Sequence, residues 1–250
     1  TSVGFSGAED RDEAVNFDND GFTRRNALLK LGYKFNKRFS LNGQYAYEKF
    51  NAEYDAYEFT DADFRQIYRQ HRLGIVPVWR YGNGEVEGKF FYNVNAREFE
   101  STYPAEFSGR NFQGEIIQRH RITNVIQGLW GVNVQHLAYD QQRVNNRDTT
   151  KFTIADPYAS LVLDLPVGLN VHAGVRLNNH SQYNSQWVYN INPSFLFNQK
   201  GNWNYKALAS VSTSYITPSL YQLYSIYGNK NLNFCWKLFQ LRYVFFLIVL

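Results

Sequence analysis

A histidine and a serine stand side by side at His180 and Ser181, and this pair could support catalysis. A histidine can act as the base that activates a neighbouring hydroxyl as a nucleophile, which is the chemistry of many hydrolases. That chemistry also needs a third group to orient the base, and nothing in the sequence identifies one. We therefore expect the chain not to be an enzyme, with a hydrolase centred on these two residues as an alternative.

Acidic residues near the amino terminus could bind a metal ion. The stretch from Glu9 to Asp20 contains several carboxylates, among them Asp18 and Asp20, and carboxylate oxygens are the ligands that Ca²⁺ prefers. The stretch lacks the twelve-residue spacing of an EF-hand. We expect a solvated external loop, with a Ca²⁺ site at Asp18 and Asp20 as the alternative. No other cofactor is expected, because one cysteine and no paired Cys/His spacing exclude a structural zinc site.

Aromatic residues fall in two stretches that we predict to be long external loops, one between residues 51 and 65 and one at about 100–114. Exposed aromatic rings can stack on a large ligand such as a corrin or a sugar, or they can pack the loops against each other. The candidate ligand-binding residues are Tyr54, Asp55, Tyr57, Phe59, Tyr103 and Phe107.

The composition favours a membrane protein over a soluble one. Aromatic residues make up 18% of the chain, yet the mean hydropathy is −0.47. Alternation produces this combination when one face of a strand meets lipid and the other meets water. The net charge of +4 is modest and no element carries a cluster of Lys and Arg, so the sequence gives no support for nucleic-acid binding.

Period-two alternation of apolar and polar residues predicts roughly eleven β-strands. Leu29 and Leu31 share one face of a predicted strand, for example, and Lys30 lies on the opposite face. Proline within a run normally argues against a central strand. We nevertheless predict that the strand at 65–81 continues through Pro77, because the alternation is intact on both sides. The predicted strands cover residues 22–35, 38–51, 65–81, 85–99, 115–122, 128–139, 153–165, 169–179, 187–198 and 203–215, with residues 1–6 inside another strand.

The arrangement of these strands predicts an all-β fold, a partial antiparallel transmembrane β-barrel. Short turns at 36–37, 82–84 and 166–168 alternate with the longer predicted loops. Aromatic residues gather near strand ends, as expected where a barrel crosses the two membrane interfaces. These aromatic residues are Tyr33, Phe35, Trp79, Tyr81, Trp187, Tyr189, Trp203 and Tyr205.

A stretch late in the chain resembles the motif that ends a mid-barrel strand in TonB-dependent outer-membrane receptors. The matching residues are Tyr215, Pro218, Ser219, Leu220, Gln222, Leu223, Tyr224, Gly228, Asn229, Asn231 and Leu232. The stretches 157–160, 173–183 and 192–194 are similar to the cobalamin-receptor branch of that family. The family pattern continues with a Pro-Glu pair, where this chain has Asn233 and Phe234.

The resemblance implies a receptor of the cell outer membrane, in contact with membrane lipid, that imports a scarce small-molecule nutrient, with cobalamin as the expected ligand. It also implies a plug domain and an amino-terminal segment that contacts the TonB complex. Because the chain contains no methionine, we expect it to be an excerpt that lacks these parts. A passive channel or structural barrel is the main alternative, and a soluble carbohydrate-binding sandwich is a weaker one.

We expect two regions, a partial receptor barrel over residues 1–233 and an atypical apolar tail over residues 234–250. The tail is almost continuously apolar except for Lys237, Gln240 and Arg242. As a helix it would rise about 25 Å, which is short of the roughly 30 Å hydrocarbon core. Translation in a wrong reading frame is our hypothesis for this tail, and the encoding DNA would test it.

Overall fold

Long antiparallel strands dominate the structure, as the alternation predicts. A computed structural model describes residues 20–56, 60–143, 146–198, 203–219, 222–223, 229, 231–232 and 236–249, the last range for its backbone. The described strands form one sheet of eleven, in which each strand pairs with its neighbours in chain order. They are β1 (Phe22–Lys34), β2 (Phe39–Ala56), β3 (Thr60–Tyr81), β4 (Gly84–Glu100), β5 (Ala105–Arg121), β6 (Ile126–Arg143), β7 (Asn146–Asp164), β8 (Leu169–His180), β9 (Asn184–Asn198), β10 (Trp203–Ile216) and β11 (Trp236–Val249).

The pairing register places residues of similar character opposite one another. Leu29 of β1 pairs with Tyr45 of β2, and Lys30 pairs with Gln44. Paired residues share a face of the sheet, and successive residues alternate between faces. The register therefore collects apolar side chains on one face, the apolar face, and polar side chains on the other, the polar face. The predicted alternation is confirmed, and so is the strand through Pro77.

The polar face is the more buried one, although the described strands form a single layer. Large side chains on the apolar face stay exposed, as shown by Leu31 at 67% and Trp187 at 57%. Side chains crowd on the concave side of a curved sheet and spread on its convex side, so the polar face is concave. Apart from glycines, the buried strand residues that the structure describes all lie there: Ser40, Val78, Ile117, Asn133, Gln141, Phe152, Asp156 and His180.

An exposed convex apolar face fits a sheet that curves toward a transmembrane barrel. A soluble sandwich would instead cover that face with a second packed sheet. The described strands belong to one sheet, which contradicts the sandwich alternative and agrees with the predicted partial barrel. Within the described part of the chain, no helix has both the length and the apolar character needed to span a membrane.

The exposed apolar side chains of the apolar face, among them Leu31, Trp79 and Trp187, form a band that we call the apolar band. This band runs obliquely across the strands. Trp79 lies near the β3–β4 turn, whereas Tyr189 lies near the turn at the opposite end, between β8 and β9. Both are exposed aromatic residues at an edge of the band. The hydrogen-bond register nevertheless connects them, through Val86, Gln118, Trp130, Ala159 and Val175. Between β3 and β9, one row of paired residues thus passes from one edge of the apolar band to the other. The strands are therefore strongly tilted relative to the band, as in a barrel.

Aromatic side chains at the edges of the band carry hydrogen bonds at their polar tips. At the end with the β3–β4 turn, Gln118 donates a hydrogen bond to Tyr81 Oη at 2.6 Å. Trp130 Nε1 donates to Gln118 Oε1 at 3.1 Å. At the other edge, Tyr45 Oη lies 2.8 Å from Nδ1 of His71. Rings with an apolar body and a hydrogen-bonded tip suit a membrane interface, in agreement with the predicted girdle.

The predicted long loops are wrong, because the strands continue through them. The expected loop at 100–114 contains residues 101–104 as its connection, and β5 begins at Ala105. Likewise β2 extends to Ala56 and β3 begins at Thr60. These strand ends are polar or aromatic on both faces, so apolar alternation did not reveal them. Cross-strand contacts such as the Arg110–Asp140 ion pair, at 2.9 Å, stabilise them instead. The predicted short turns are confirmed.

The apolar tail contains a strand in this structure. Backbone residues 236–249 form β11, which pairs with β10 from Ile216↔Trp236 to Trp203↔Val249. The reading-frame hypothesis for this segment stays a prediction. The strand expected at residues 1–6, and the side chain of Trp203, lie outside the described residues.

Candidate functional site

A cluster of aromatic rings lines the polar face beyond the apolar band, at the end with the β2–β3 and β4–β5 connections. We call it the aromatic belt; its members are Phe22, Phe50, Tyr54, Phe64, Tyr68, Phe99, Phe107 and Tyr139. Neighbouring ring centroids lie between 5.1 Å (Phe50–Tyr68) and 6.5 Å (Tyr54–Phe99). All eight rings are half-buried, so part of each ring's surface stays accessible.

Strand extension explains why the rings meet. Phe99 of β4 and Phe107 of β5 lie close across the short connection between their strands, with edge-to-face rings 5.8 Å apart. Phe107 in turn stacks on Tyr139 of β6 at 6.4 Å. One cation joins the belt, because the guanidinium of Arg97 lies 5.6 Å above the ring of Tyr68. The belt is therefore an aromatic surface with a positive charge beside it.

The structure brings together two of the predicted ligand-binding residues. Tyr54 and Phe107 both belong to the belt and both contact Phe99. Tyr103 lies in the β4–β5 connection with 83% of its surface exposed. Asp55 follows Tyr54 at a register shift in β2, outside the belt. Tyr57 and Phe59 lie outside the described residues.

Sequence reasoning missed the other members of the belt. Phe64, Phe99 and Tyr139 were assigned to loops or to strand ends without a role. Each has the parity of the polar face, so counting alternation past the apolar band would have placed them beside Tyr54 and Phe107.

An ionic network lies deeper on the polar face, at the level of the apolar band. Arg119 contacts Glu85 at 2.9 Å and Glu87 at 2.8 Å. Lys89 joins Glu87 to Glu115, which lies 3.4 Å from its Nζ. Charged side chains at membrane depth are tolerated where they face a wet interior and pair with one another. The network therefore marks the polar face as the lumen side.

The network continues to β7 and β8 through a phenol and a buried carboxylate. Tyr158 Oη donates a hydrogen bond to Glu115 Oε1 at 2.7 Å. Asp156 is 4% exposed and accepts hydrogen bonds from Arg176 and from the backbone N–H of Asn179. Buried oxygen atoms without a partner among the described residues occur on Asn93, Asn111 and Asn133, as expected for a face that meets water or another polar surface.

An open cavity of about 710 Å³ lies at the end of the sheet with the short turns. Its lining includes four arginines, Arg38, Arg80, Arg119 and Arg121, together with His172 and Glu85. Glu85 lies 3.5 Å from Arg80 and 2.9 Å from Arg119, so the cavity carries excess positive charge. His172 is on the polar face, as its parity predicts.

The structure does not assemble the catalytic pair considered for a hydrolase. Nδ1 of His180 accepts a hydrogen bond from the backbone N–H of Gln182 at 3.1 Å. Ser181 Oγ accepts one from the backbone N–H of Thr153 at 3.0 Å. His180 lies beyond Leu177, the last apolar residue of β8 on the lipid side, and its burial lowers its pKa, an effect that Asp156 opposes. The histidine packs between Phe152 and Tyr183, which is a structural role.

The family motif after β10 forms a capped turn. Ser219 Oγ accepts a hydrogen bond from the backbone N–H of Gln222 at 3.3 Å, and Gln222 Oε1 accepts one from the N–H of Ser219 at 2.9 Å. This reciprocal pair is a capping box. Pro218 and Leu223 stand at the two positions of a hydrophobic staple, and both are buried, Leu223 to 2% exposure.

The same motif is fixed to the β8–β9 turn. Tyr183 Oη donates a hydrogen bond to the carbonyl oxygen of Leu232 at 3.2 Å. Tyr215 Oη donates to the carbonyl oxygen of Tyr183 at 3.1 Å. Asn229 Oδ1 accepts the backbone N–H of Asn231 at 2.9 Å and turns the chain there. Leu220, Tyr224 and Gly228 lie outside the described residues.

Comparison with known proteins agrees with this architecture. A family described as TonB dependent receptor-like, beta-barrel, matches residues 2–233. A search of curated proteins finds no significant match.

Solved structures share the fold at low sequence identity. The siderophore receptor PirA from Pseudomonas aeruginosa superposes with a TM-score of 0.59 and 14% identity, over 82% of this chain and 36% of that one. For a ferric enterobactin receptor from the same organism the values are 0.66, 12%, 82% and 35%. For the copper transporter OprC they are 0.71, 10%, 90% and 42%. The chain thus spans about a third of the length of these two receptors, PirA and the ferric enterobactin receptor.

A single sheet of sequential antiparallel strands with a convex apolar face and a concave ionic face matches the family that the sequence comparison identifies. The chain belongs to the TonB-dependent receptor family and forms part of its transmembrane β-barrel.

Proposed function

We propose that this chain is part of an outer-membrane receptor that takes up a scarce nutrient with energy supplied through the TonB complex. The aromatic belt carries the proposal, because it places accessible rings on the lumen side, beyond the lipid-facing band. A ligand that arrives from outside the cell meets this surface before it meets the ionic network. We further propose that the protein transports its ligand and has no enzymatic activity.

The belt suits a large ligand with an extended apolar or conjugated surface, of which cobalamin is our expected example. Its rings extend over β1 to β6, so several can contact one ligand at once. Aromatic rings can stack on the conjugated surface of a corrin. The structural neighbours include receptors for siderophores, a peptide transporter and a copper transporter. Their low identity supports the fold, and the choice of ligand rests on the belt.

Alanine substitutions in the belt test the ligand assignment. In the full-length protein, we expect Phe99→Ala and Phe107→Ala each to weaken cyanocobalamin binding by about tenfold, the equivalent of about 1.4 kcal/mol. Phe112→Ala is the matched control, because Phe112 is on the same strand as Phe107 but on the apolar face. Titration calorimetry would measure the affinities. Equal affinity of the two belt variants and the wild type would contradict the assignment.

Transport energetics separate the receptor from the passive channel. Uptake of radiolabelled cobalamin by cells should stop when TonB is deleted, if the protein is an energised receptor. Unchanged uptake in the deletion strain would favour a channel. A calcium site at Asp18 and Asp20 stays an alternative to a solvated loop, and Asp18 lies outside the described residues. If the site exists, chelation of Ca²⁺ should lower the thermal stability of the full-length protein.

A further inference from the structure

Three cations lie side by side on the apolar face, immediately beyond the apolar band. Arg25 of β1 pairs with Lys49 of β2, and Lys49 pairs with Arg69 of β3. Directly paired residues on adjacent strands have Cβ atoms about 5 Å apart, so the row covers roughly 10 Å. We call these residues the cation row.

Among the described residues, one of the three cations in the cation row has an anionic partner. Glu98 contacts Arg69 at 2.8 Å. Within the part of the chain that the structure describes, neither Arg25 nor Lys49 forms an ion pair. Like charges directly opposite each other destabilise a sheet. An external anion bound between these two side chains would remove that repulsion.

The position of the row identifies the kind of anion. Two residues closer to the lipid, roughly 7 Å along the strands, Tyr47 pairs with His71. Two residues further in that direction, Leu29, Tyr45 and Leu73 form a registered apolar row. Acyl chains can therefore pack on the apolar row while a charged headgroup reaches the cations.

Carboxylates lie on the other side of the cation row, away from the lipid. Glu53 of β2 and Glu100 of β4 flank Arg65, which contacts them at 3.5 Å and 3.9 Å. The order along the apolar face is thus apolar, aromatic, cationic and then mixed ionic. This order holds a negatively charged group at one level, directly above the hydrocarbon, where lipid phosphates are found.

We propose that Arg25 and Lys49, together with Arg69, bind the phosphate of a phosphorylated lipid in the leaflet that faces outside. The lipid places its phosphate between the two unpaired cations and its acyl chains against Leu29, Tyr45 and Leu73. The proposal rests on the membrane location proposed above, but it needs neither ligand binding nor transport.

Neutral variants of the row provide the test. Full-length protein in detergent, stripped of lipid, would be titrated with diphosphoryl lipid A and the bound fraction measured by native mass spectrometry. One cation near an anionic lipid surface increases the binding constant about fivefold. We therefore expect Lys49→Gln to weaken binding about fivefold and the Arg25→Gln/Lys49→Gln double variant about 25-fold.

Lys30→Gln is the matched control, because Lys30 is on β1 but on the polar face, opposite Gln44. It should leave lipid A affinity unchanged, and all variants should keep the far-ultraviolet circular dichroism and the cyanocobalamin affinity of the wild type. Wild-type affinity in the double variant would overturn the proposal, and so would an equal loss in Lys30→Gln. Stoichiometric binding of inorganic phosphate without retention of lipid A would overturn the lipid as its source. If cobalamin does not bind but lipid A follows the expected series, the lipid site stands and the nutrient assignment fails.

Discussion

Removing Arg176 should destabilise the barrel through the carboxylate that it leaves behind. Asp156 is 4% exposed, and without Arg176 it retains the 3.2 Å hydrogen bond from the N–H of Asn179. Breaking a fully buried ion pair costs about 3–5 kcal/mol. The Arg176 side chain is 41% exposed, so water can partly replace it. We therefore expect Arg176→Met to lower the free energy of unfolding by about 2 kcal/mol.

A double-mutant cycle isolates the interaction between the two side chains. Asp156→Asn should cost about 1 kcal/mol, because it removes the charge and leaves a solvated arginine. The combined variant should cost less than the sum, with a coupling energy of about 1–2 kcal/mol. Urea unfolding of the full-length protein in lipid vesicles, followed by tryptophan fluorescence, would measure these values.

An exposed ion pair supplies the control for this cycle. Arg65 lies 3.5 Å from Glu53, and the two side chains are 47% and 40% exposed. Arg65→Met should therefore cost less than about 0.5 kcal/mol. If Arg176→Met is no more destabilising than Arg65→Met, or if the coupling energy is below about 0.5 kcal/mol, the reasoning from burial is refuted.

Three further predictions concern packing, the family motif and pH. Gly131→Ala should lower the free energy of unfolding by about 1–3 kcal/mol, because the new Cβ would clash with the backbone carbonyl oxygen of Ile116 and lie 2.8 Å from the ring of Tyr158. Gly82→Ala, with no atom within 4 Å, should be neutral in the same urea assay. Tyr183→Phe should cost about 1 kcal/mol because it frees the carbonyl oxygen of Leu232. The loosened turn should speed hydrogen exchange of the Leu232 N–H, which donates to the carbonyl oxygen of Asn229 at 3.1 Å; unchanged exchange would contradict this. Because the pKa of His180 is lower in the folded state than its ordinary 6.5, the unfolded state binds more protons below that pH, and the free energy of unfolding should fall as the pH drops through about 6.5. His180→Gln should flatten that part of the stability profile, and an identical profile would count against it.

The strands within the apolar band could be predicted from the sequence, but the alternation of apolar and polar residues did not reveal their outer extensions. At Leu29–Leu31 or Tyr189–Ile191 one parity is apolar and the other polar, and that contrast is visible without a structure. At Phe64 and Phe107 both faces meet water or other protein, so the contrast disappears. Pairing between strands far apart in sequence holds those ends in place, and a single sequence does not record it.

The aromatic belt could be predicted only in part, because pairing between distant strands brings its members together. Tyr54 and Phe107 were identified because they are aromatic residues in stretches expected to be external. Their contact through Phe99 depends on the registers of β2 to β5. The capping box of Ser219 and Gln222, by contrast, has the local S-x-x-Q spacing, a signal in the sequence that we did not use as a prediction.

The sequence by itself determined which side of each strand meets lipid, because side chains alternate with a fixed period of two and each strand carries its own pattern. It also determined the family, through a motif whose hydrogen bonds are largely local. The tertiary structure decided which side chains on different strands become neighbours, since that depends on register and tilt summed across the sheet. The aromatic belt, the buried Asp156 and the cation row all arise from that sum.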